Sequence, residues 1–152
     1  MINNNKDFID QSYDEIKLLK MIKTNYNPDD CYLLNFKSAT YYKEHLLLQT
    51  DLLKDDLYCA YRKNPSFFSI PVIKMISKQL LIALNALHSL SIIHSDLKPE
   101  NILIKSYSPV EIKIVDLGNS CFVHDNLGTY VQSRSYRAPE VILGMMFVYL
   151  RE

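Results

Sequence analysis

Between His94 and Gly118 two short apolar runs, Ile102–Ile104 and Ile112–Val115, alternate with polar residues, and this constrains the fold more than any other stretch. Short runs rich in isoleucine and valine suit buried strands better than helices. Pro109, in the 105–111 connection, marks a hairpin between them. Each run adjoins groups able to do chemistry. Asp96, Lys98 and Asn101 precede the first, and Asp116 ends the second. A carboxylate, a cation and two further oxygen ligands at strand ends suit Mg²⁺ and a polyphosphate. Mg²⁺ takes one or two carboxylates from protein and fills its remaining positions with phosphate and water.

The bulk properties set bounds around that stretch. A chain of 152 residues fits one domain with a real core. Lysine plus arginine equals aspartate plus glutamate at 17 each, so no overall field favours nucleic acid or an anionic membrane. Cys31, Cys59 and Cys121 are odd in number and widely spaced, which suits unpaired thiols in a reducing compartment. The N-terminus lacks the apolar core of a secretory signal, and the apolar stretch Val141–Leu150 is broken by Gly144 and too short to span a bilayer. These features make a soluble intracellular protein, cytoplasmic or nuclear, the default expectation. With three glycines in all, there is no room for a glycine-rich phosphate loop.

Along the chain, the spacing of Phe8, Ile9, Ile16, Leu19 and Ile22 predicts a helix over 8–23. A turn-rich connection containing Pro28 follows. Tyr32–Phe36 and His45–Thr50 are expected as an antiparallel pair bent near Lys43-Glu44. Asp51–Leu53 is an extended link, and Asp56–Arg62 a short helix. Ser69 opens the longest helix, with Pro71 tolerable in its first turn and Ile73, Ile76, Leu80, Leu84 and Leu87 as a stripe for burial. Residues 117–137 are polar and irregular, as a regulatory loop would be. Two units emerge, a partial sheet with one helix and then a helical unit carrying the candidate site. A cleft between them, floored by Leu103, is the expected place for a ligand.

Asp96-x-Lys98-x-x-Asn101 followed by Asp116-x-Gly118 resembles the catalytic loop and metal-binding turn of eukaryotic protein kinases. Singly, an Asp-x-Lys is more often a solvated loop and an Asp-Leu-Gly an ordinary turn. In order, and with Ala138-Pro139-Glu140 downstream, the fragments make chance improbable. The run Tyr130-Val131-Gln132-Ser133-Arg134-Ser135-Tyr136-Arg137-Ala138-Pro139-Glu140 is similar to the activation segment of the dual-specificity tyrosine-regulated kinases, the DYRK family of the CMGC group. Ser95 stands where most kinases carry arginine, and Leu117 replaces the phenylalanine of the usual Asp-Phe-Gly.

The resemblance implies an α+β, two-lobed kinase fold that is truncated: 1–50 as partial N-lobe, 51–53 as hinge and 54–152 as partial C-lobe. It implies ATP and Mg²⁺ as cofactors and protein serine or threonine as substrate, with no nucleic acid or membrane partner. Asp96 would orient and deprotonate the substrate hydroxyl, and Lys98 would neutralise the transferring phosphoryl group. Asn101 and Asp116 would hold Mg²⁺. Thr50 would be the gatekeeper, with Asp51 and Leu53 offering hinge backbone to adenine. Glu15 would match the helix glutamate that pairs with a phosphate-anchoring lysine. Tyr130 would be the phosphorylated loop tyrosine, with Arg134 and Arg137 as its cationic partners.

Against the family pattern there is no glycine-rich loop, the expected lysine would fall before Met1, and the chain has no Trp. Met145–Glu152 also departs from the pattern. The chain is therefore expected to be a piece of a kinase domain with no useful activity and poor solubility by itself. One alternative is a catalytically inactive, kinase-derived binding fragment. Another, a small-molecule phosphotransferase, is disfavoured by Tyr136-Arg137-Ala138-Pro139-Glu140, which belongs to kinases of protein substrates.

Overall fold

The computed structural model describes residues 6–43, 45–125 and 131–143, with side chains from residue 12 onward. Helix α1, Lys6–Asn25, is slightly longer at both ends than periodicity predicts. It buries Ile16, Leu18, Leu19 and Ile22; the side chains of Phe8 and Ile9 lie outside the described residues.

Strands β1 (Phe36–Tyr42) and β2 (His45–Thr50) form the expected antiparallel pair, but β1 begins where the predicted strand ends. Tyr32–Leu34, the more apolar segment, is drawn away instead to strand β5 (Val110–Ile114). Leu34 N–H donates to Ile114 O at 3.0 Å and Ile114 N–H to Tyr32 O at 2.9 Å. The period-2 reading located an extended segment correctly and gave it the wrong partner.

Helix α2 (Leu57–Lys63) starts on Asp56, whose carboxylate accepts the Cys59 N–H at 2.8 Å. Helix α3 (Ile70–Ser89) carries Pro71 in its first turn, where a missing N–H costs nothing. By length and composition α3 is the one described helix able to cross a membrane. Here, however, it buries Ile76, Gln79, Ala83, Ala86 and Leu87 against the rest of the chain. The expected stripe was displaced: Ile73 is exposed and Leu80 and Leu84 only half-buried, because small side chains and a glutamine let the helix approach the sheet.

Strand β3 (Ile92–Ile93) follows and pairs with β6 (Cys121–Phe122). Between them lies the hairpin of β4 (Ile102–Tyr107) and β5, with Ile102 opposite Ile114. An isolated bridge flanks each strand of this two-stranded sheet. Leu33 pairs in parallel with Ile114, and Asp56 antiparallel with Leu103. Gln79 acts as a surrogate strand partner: its Nε2 donates to Val110 O at 2.8 Å and its Oε1 accepts the Ile112 N–H at 2.9 Å.

Two cores meet on the hairpin. One joins α1, Leu33, Phe36 and Leu46 to Leu87 and Ile114. The other joins Ala60 and Ile76 to Ile102, Ile104 and Ile112. Each fully buried isoleucine contributes about 2 kcal/mol, so the open end of the hairpin, where β4 starts and β5 stops beside the candidate groups, rests on a fixed base. Helix α4 (Pro139–Ile142) closes the described chain.

Candidate active site

Ser95 and Asp116 are both non-glycine residues with left-handed backbone, each at φ 63°. Such a conformation costs about 1–2 kcal/mol per residue and recurs where a chain must aim a side chain. Ser95 sits just before Asp96, and Asp116 just after β5, so each strained position carries or adjoins one of the two candidate carboxylates. A Cβ on Gly118 would lie 3.3 Å from Asp116 Oδ1, and the Gly118 N–H donates to that same oxygen at 3.3 Å.

Asp96 is buried and engaged on both oxygens. Oδ1 accepts the Ser133 hydroxyl at 2.7 Å and the Ser133 N–H at 3.0 Å. Oδ2 accepts Lys98 Nζ at 2.6 Å, and Lys98 also donates to Ser133 Oγ at 2.9 Å. Burial alone would raise the Asp96 carboxyl, but the Lys98 and Ser133 hydrogen bonds outweigh it and hold the group below its ordinary 3.8. Lys98 is correspondingly raised by its bond to Asp96. A base that is ionised, aimed and paired with a cation can take a proton from a hydroxyl while the cation meets an incoming negative charge.

Asn101 Nδ2 donates to Asp96 O at 2.9 Å, and Val115 N–H donates to Asn101 O at 3.0 Å. The amide nitrogen is thus committed, and Oδ1 is the atom left to face a cation. With the Asp116 carboxylate this makes two hard oxygen donors, the share that Mg²⁺ takes from protein when phosphate and water supply the rest. Among the described residues no group of three or more His, Cys, Asp or Glu gathers to hold a metal without such help.

His94 packs beneath the loop. Its Nε2 meets Val115 O at 3.1 Å, and its Nδ1 accepts the Asp96 N–H at 3.3 Å. These partners assign the proton to Nε2. Burial lowers its proton affinity, so the ring stays neutral. Glu15 on α1 reaches the same region. Burial raises its carboxyl, the nearby Asp116 charge adds to the rise, and a hydrogen bond from the Leu117 backbone opposes both.

Thr50 ends β2, and Asp51 and Leu53 lie on the link after it. Thr50 Oγ1 donates to Asp51 O at 3.2 Å, and Lys37 pairs with the Asp51 carboxylate at 2.8 Å. The link then joins β4, with Lys54 N–H donating to Ile104 O at 2.8 Å, which puts Leu103 beside it. Arg137 donates from Nε to Val131 O at 2.9 Å and from Nη2 to Gln132 O at 2.7 Å. Arg134 is exposed in the short 3₁₀ turn Arg134–Tyr136. Tyr130 lies outside the described residues.

Sequence reasoning missed Ser133, which sits within a quoted motif but looks like any loop hydroxyl. It also missed Gln132, left-handed at φ 68°, whose side chain caps the Ala138 N–H at 2.7 Å. These two residues, Val131, Asn119, Ser95 and Asp96 line a cavity of about 210 Å³. That volume suits a side chain better than a nucleotide.

The protein kinase domain family matches residues 2–149. The chain belongs to that family. It is 38% identical over 148 residues to the human dual specificity tyrosine-phosphorylation-regulated kinase 3, covering 97% of this chain and 25% of that protein. It is equally identical to the probable serine/threonine-protein kinase dyrk2 of Dictyostelium discoideum, covering 97% and 16%. To the DYRK-family kinase pom1 of Schizosaccharomyces pombe it is 41% identical, covering 95% and 13%. The chain thus spans roughly a quarter or less of the length of these relatives. It is a DYRK-like partial catalytic domain with a partial two-lobed α+β kinase fold. Kinases of this family use ATP and Mg²⁺.

Proposed function

We propose that these residues form the catalytic loop and metal-binding turn of an ATP-dependent protein serine/threonine kinase that also phosphorylates its own loop tyrosine. The observation that carries this reading is the Asp96–Lys98–Ser133 cluster, an ionised base and a cation joined through one hydroxyl. In this reading Asp96 accepts the substrate proton and Lys98 meets charge on the transferring phosphoryl group. Asn101 and Asp116 would hold Mg²⁺, whose charge would neutralise the phosphates. Positioning and charge neutralisation supply most of the rate in such a transfer. Thr50, Asp51, Leu53 and Leu103 would border adenine, with 1–50, 51–53 and 54–152 as lobe, hinge and lobe. Glu15 would anchor a phosphate-binding lysine. Phosphate on Tyr130 would draw on Arg134 and Arg137. An intracellular location, cytoplasmic or nuclear, belongs to the same reading.

The test incubates the protein containing this chain with Mg·[γ-³²P]ATP and a serine/threonine peptide. Label on the peptide is expected, nearly abolished by Asp96→Asn with nucleotide binding kept. Asp116→Asn is expected to weaken Mg²⁺-dependent nucleotide binding. Equal labelling by parent and Asp96→Asn would remove Asp96 from the catalytic role. The second reading is a catalytically inactive, kinase-derived binding fragment. Failure of the protein containing this chain to bind Mg·ATP would select it.

A further inference from the structure

Lys113 is the largest fully buried side chain, with 1% of its surface exposed, and catalysis as described gives it no task. It sits on β5, three positions before Asp116. Its ammonium donates to Pro28 O and, at 2.9 Å, to Asp29 Oδ1. Lys105 from β4 donates to that same Asp29 oxygen at 2.8 Å and to Glu111 Oε1 at 2.8 Å. Asp29 is bound across 84 residues of chain to one lysine and across 76 to the other. The two lysines hold its carboxyl down to about 2, while Lys105 is pushed up to about 12, chiefly by Asp29.

The segment carrying Asp29 is stiff and continuous with α1. Asp30 N–H and Cys31 N–H both donate to Asn27 O, Asp29 N–H donates to Asn27 Oδ1, and Leu33 N–H donates to Pro28 O. Just past it, Leu34 and Tyr32 bond to Ile114 of β5. Glu15 stands ten residues before the end of α1, about 15 Å along the axis. A small rotation at the helix end therefore displaces Glu15 relative to the turn at Asp116. As core filler, a methionine would occupy the space of Lys113 without the desolvation cost of a buried ammonium. What the ammonium adds is direction, since it bonds only where Pro28 and Asp29 stand.

We propose that the Asp29–Lys113 ion pair is a positioning device that locks the end of α1 to strand β5 and so holds Glu15 against the turn that begins at Asp116. Its catalytic consequence rests on the kinase reading; its geometry does not. In an active protein, loss of the pair lowers kcat and leaves KM for the peptide unchanged.

Amide hydrogen exchange by NMR on the protein containing this chain tests the lock without any activity. In Asp29→Asn the amides of Leu34, Ile114 and Leu117 are expected to lose about tenfold or more in protection. The Ile104 and Ile112 amides, held by Asp55 O and Gln79 Oε1, are expected to keep theirs. Asp29→Glu, which keeps the carboxylate, is expected to restore the parent pattern. Unchanged protection at Leu117, or an equal fall at all five amides, overturns the proposal. Lys113→Met is expected to repeat the Asp29→Asn pattern; if it does not fold, Asp29→Asn decides alone, because its site is half exposed. A protein containing this chain that transfers no phosphate but shows the selective pattern refutes the kinase reading and keeps the lock. An active chain with an unmoved pattern refutes only the lock.

Discussion

The Ser133 hydroxyl donates to Asp96 Oδ1 at 2.7 Å across 37 residues of chain, and the same oxygen of Ser133 accepts from Lys98 at 2.9 Å. One hydroxyl therefore fixes the carboxylate and the ammonium relative to each other. The segment 131–133 is held in place by Arg137, which takes the carbonyls of Val131 and Gln132. The site is complete only while this later segment is seated on the loop.

Ser133→Ala is expected to keep the backbone bond to Asp96 and to lose both hydroxyl bonds. Losing about 1–2 kcal/mol of positioning corresponds to roughly a tenfold slower transfer, with Mg·ATP affinity unchanged and Ser133→Thr close to the parent. The Asp96 carboxyl loses one of the bonds that depress it, so its pKa rises. The base must be ionised, and the acid limb of the kcat/KM profile therefore moves to higher pH. A limb that stays in place, in a variant that folds, would assign Ser133 a purely structural part.

Much of this arrangement was legible in the sequence, because the signals were local. Asp96, Lys98 and Asn101 lie within six residues, the Asp56 cap precedes α2 directly, and Pro109 stands at the hairpin turn. What escaped depended on distant partners. Tyr32-Leu33-Leu34 is more apolar than Thr40-Tyr41-Tyr42, yet β5 bonded the first and β2 paired with the second. Gln79 interrupts the apolar stripe of α3 because it serves Val110 and Ile112, more than 30 positions away. Ser133 and Asp29 are likewise ordinary loop residues until the chain brings Asp96 and Lys113 to them. Periodicity reports which face is buried, not what the face meets.

Gln79→Leu tests the surrogate strand partner. The leucine fills the same space and leaves the Val110 carbonyl and the Ile112 N–H without their partner. Leaving such buried groups unsatisfied costs about 1–3 kcal/mol each, so a loss of about 2 kcal/mol or more is expected in urea unfolding, with the slope unchanged. A loss under about 0.5 kcal/mol would mean that the strand finds other partners.

Asp29 makes a prediction in acid. Its folded carboxyl titrates at about 2, against an ordinary 3.8. A depressed carboxylate stabilises the fold above the unfolded pKa, and that contribution fades as pH falls from about 3.8 through about 2. Half of the side chain is exposed, so screening limits the effect to about 1 kcal/mol or less. Parent minus Asp29→Asn stability is expected to shrink across that window and to be flat above pH 5. A constant difference down to pH 2 would show that the carboxylate's charge contributes nothing.

His94 titrates in a separate window. Burial lowers its folded pKa below the ordinary 6.5, outweighing the Val115 O bond and the nearby carboxylates, which favour the charged ring. Above pH 6.5 the ring is neutral in both folded and unfolded chains, so it adds no pH dependence. Below 6.5 the unfolded chain takes up the proton first, and the fold loses stability until the folded pKa is passed. Urea midpoints of the parent are expected to fall as pH drops from 7 to 5. His94→Phe, less stable at pH 7 because the Val115 carbonyl and Asp96 N–H lose their partner, is expected to show a shallower fall. Parallel curves for the two proteins over that range would overturn the assignment of a neutral His94 beneath the loop.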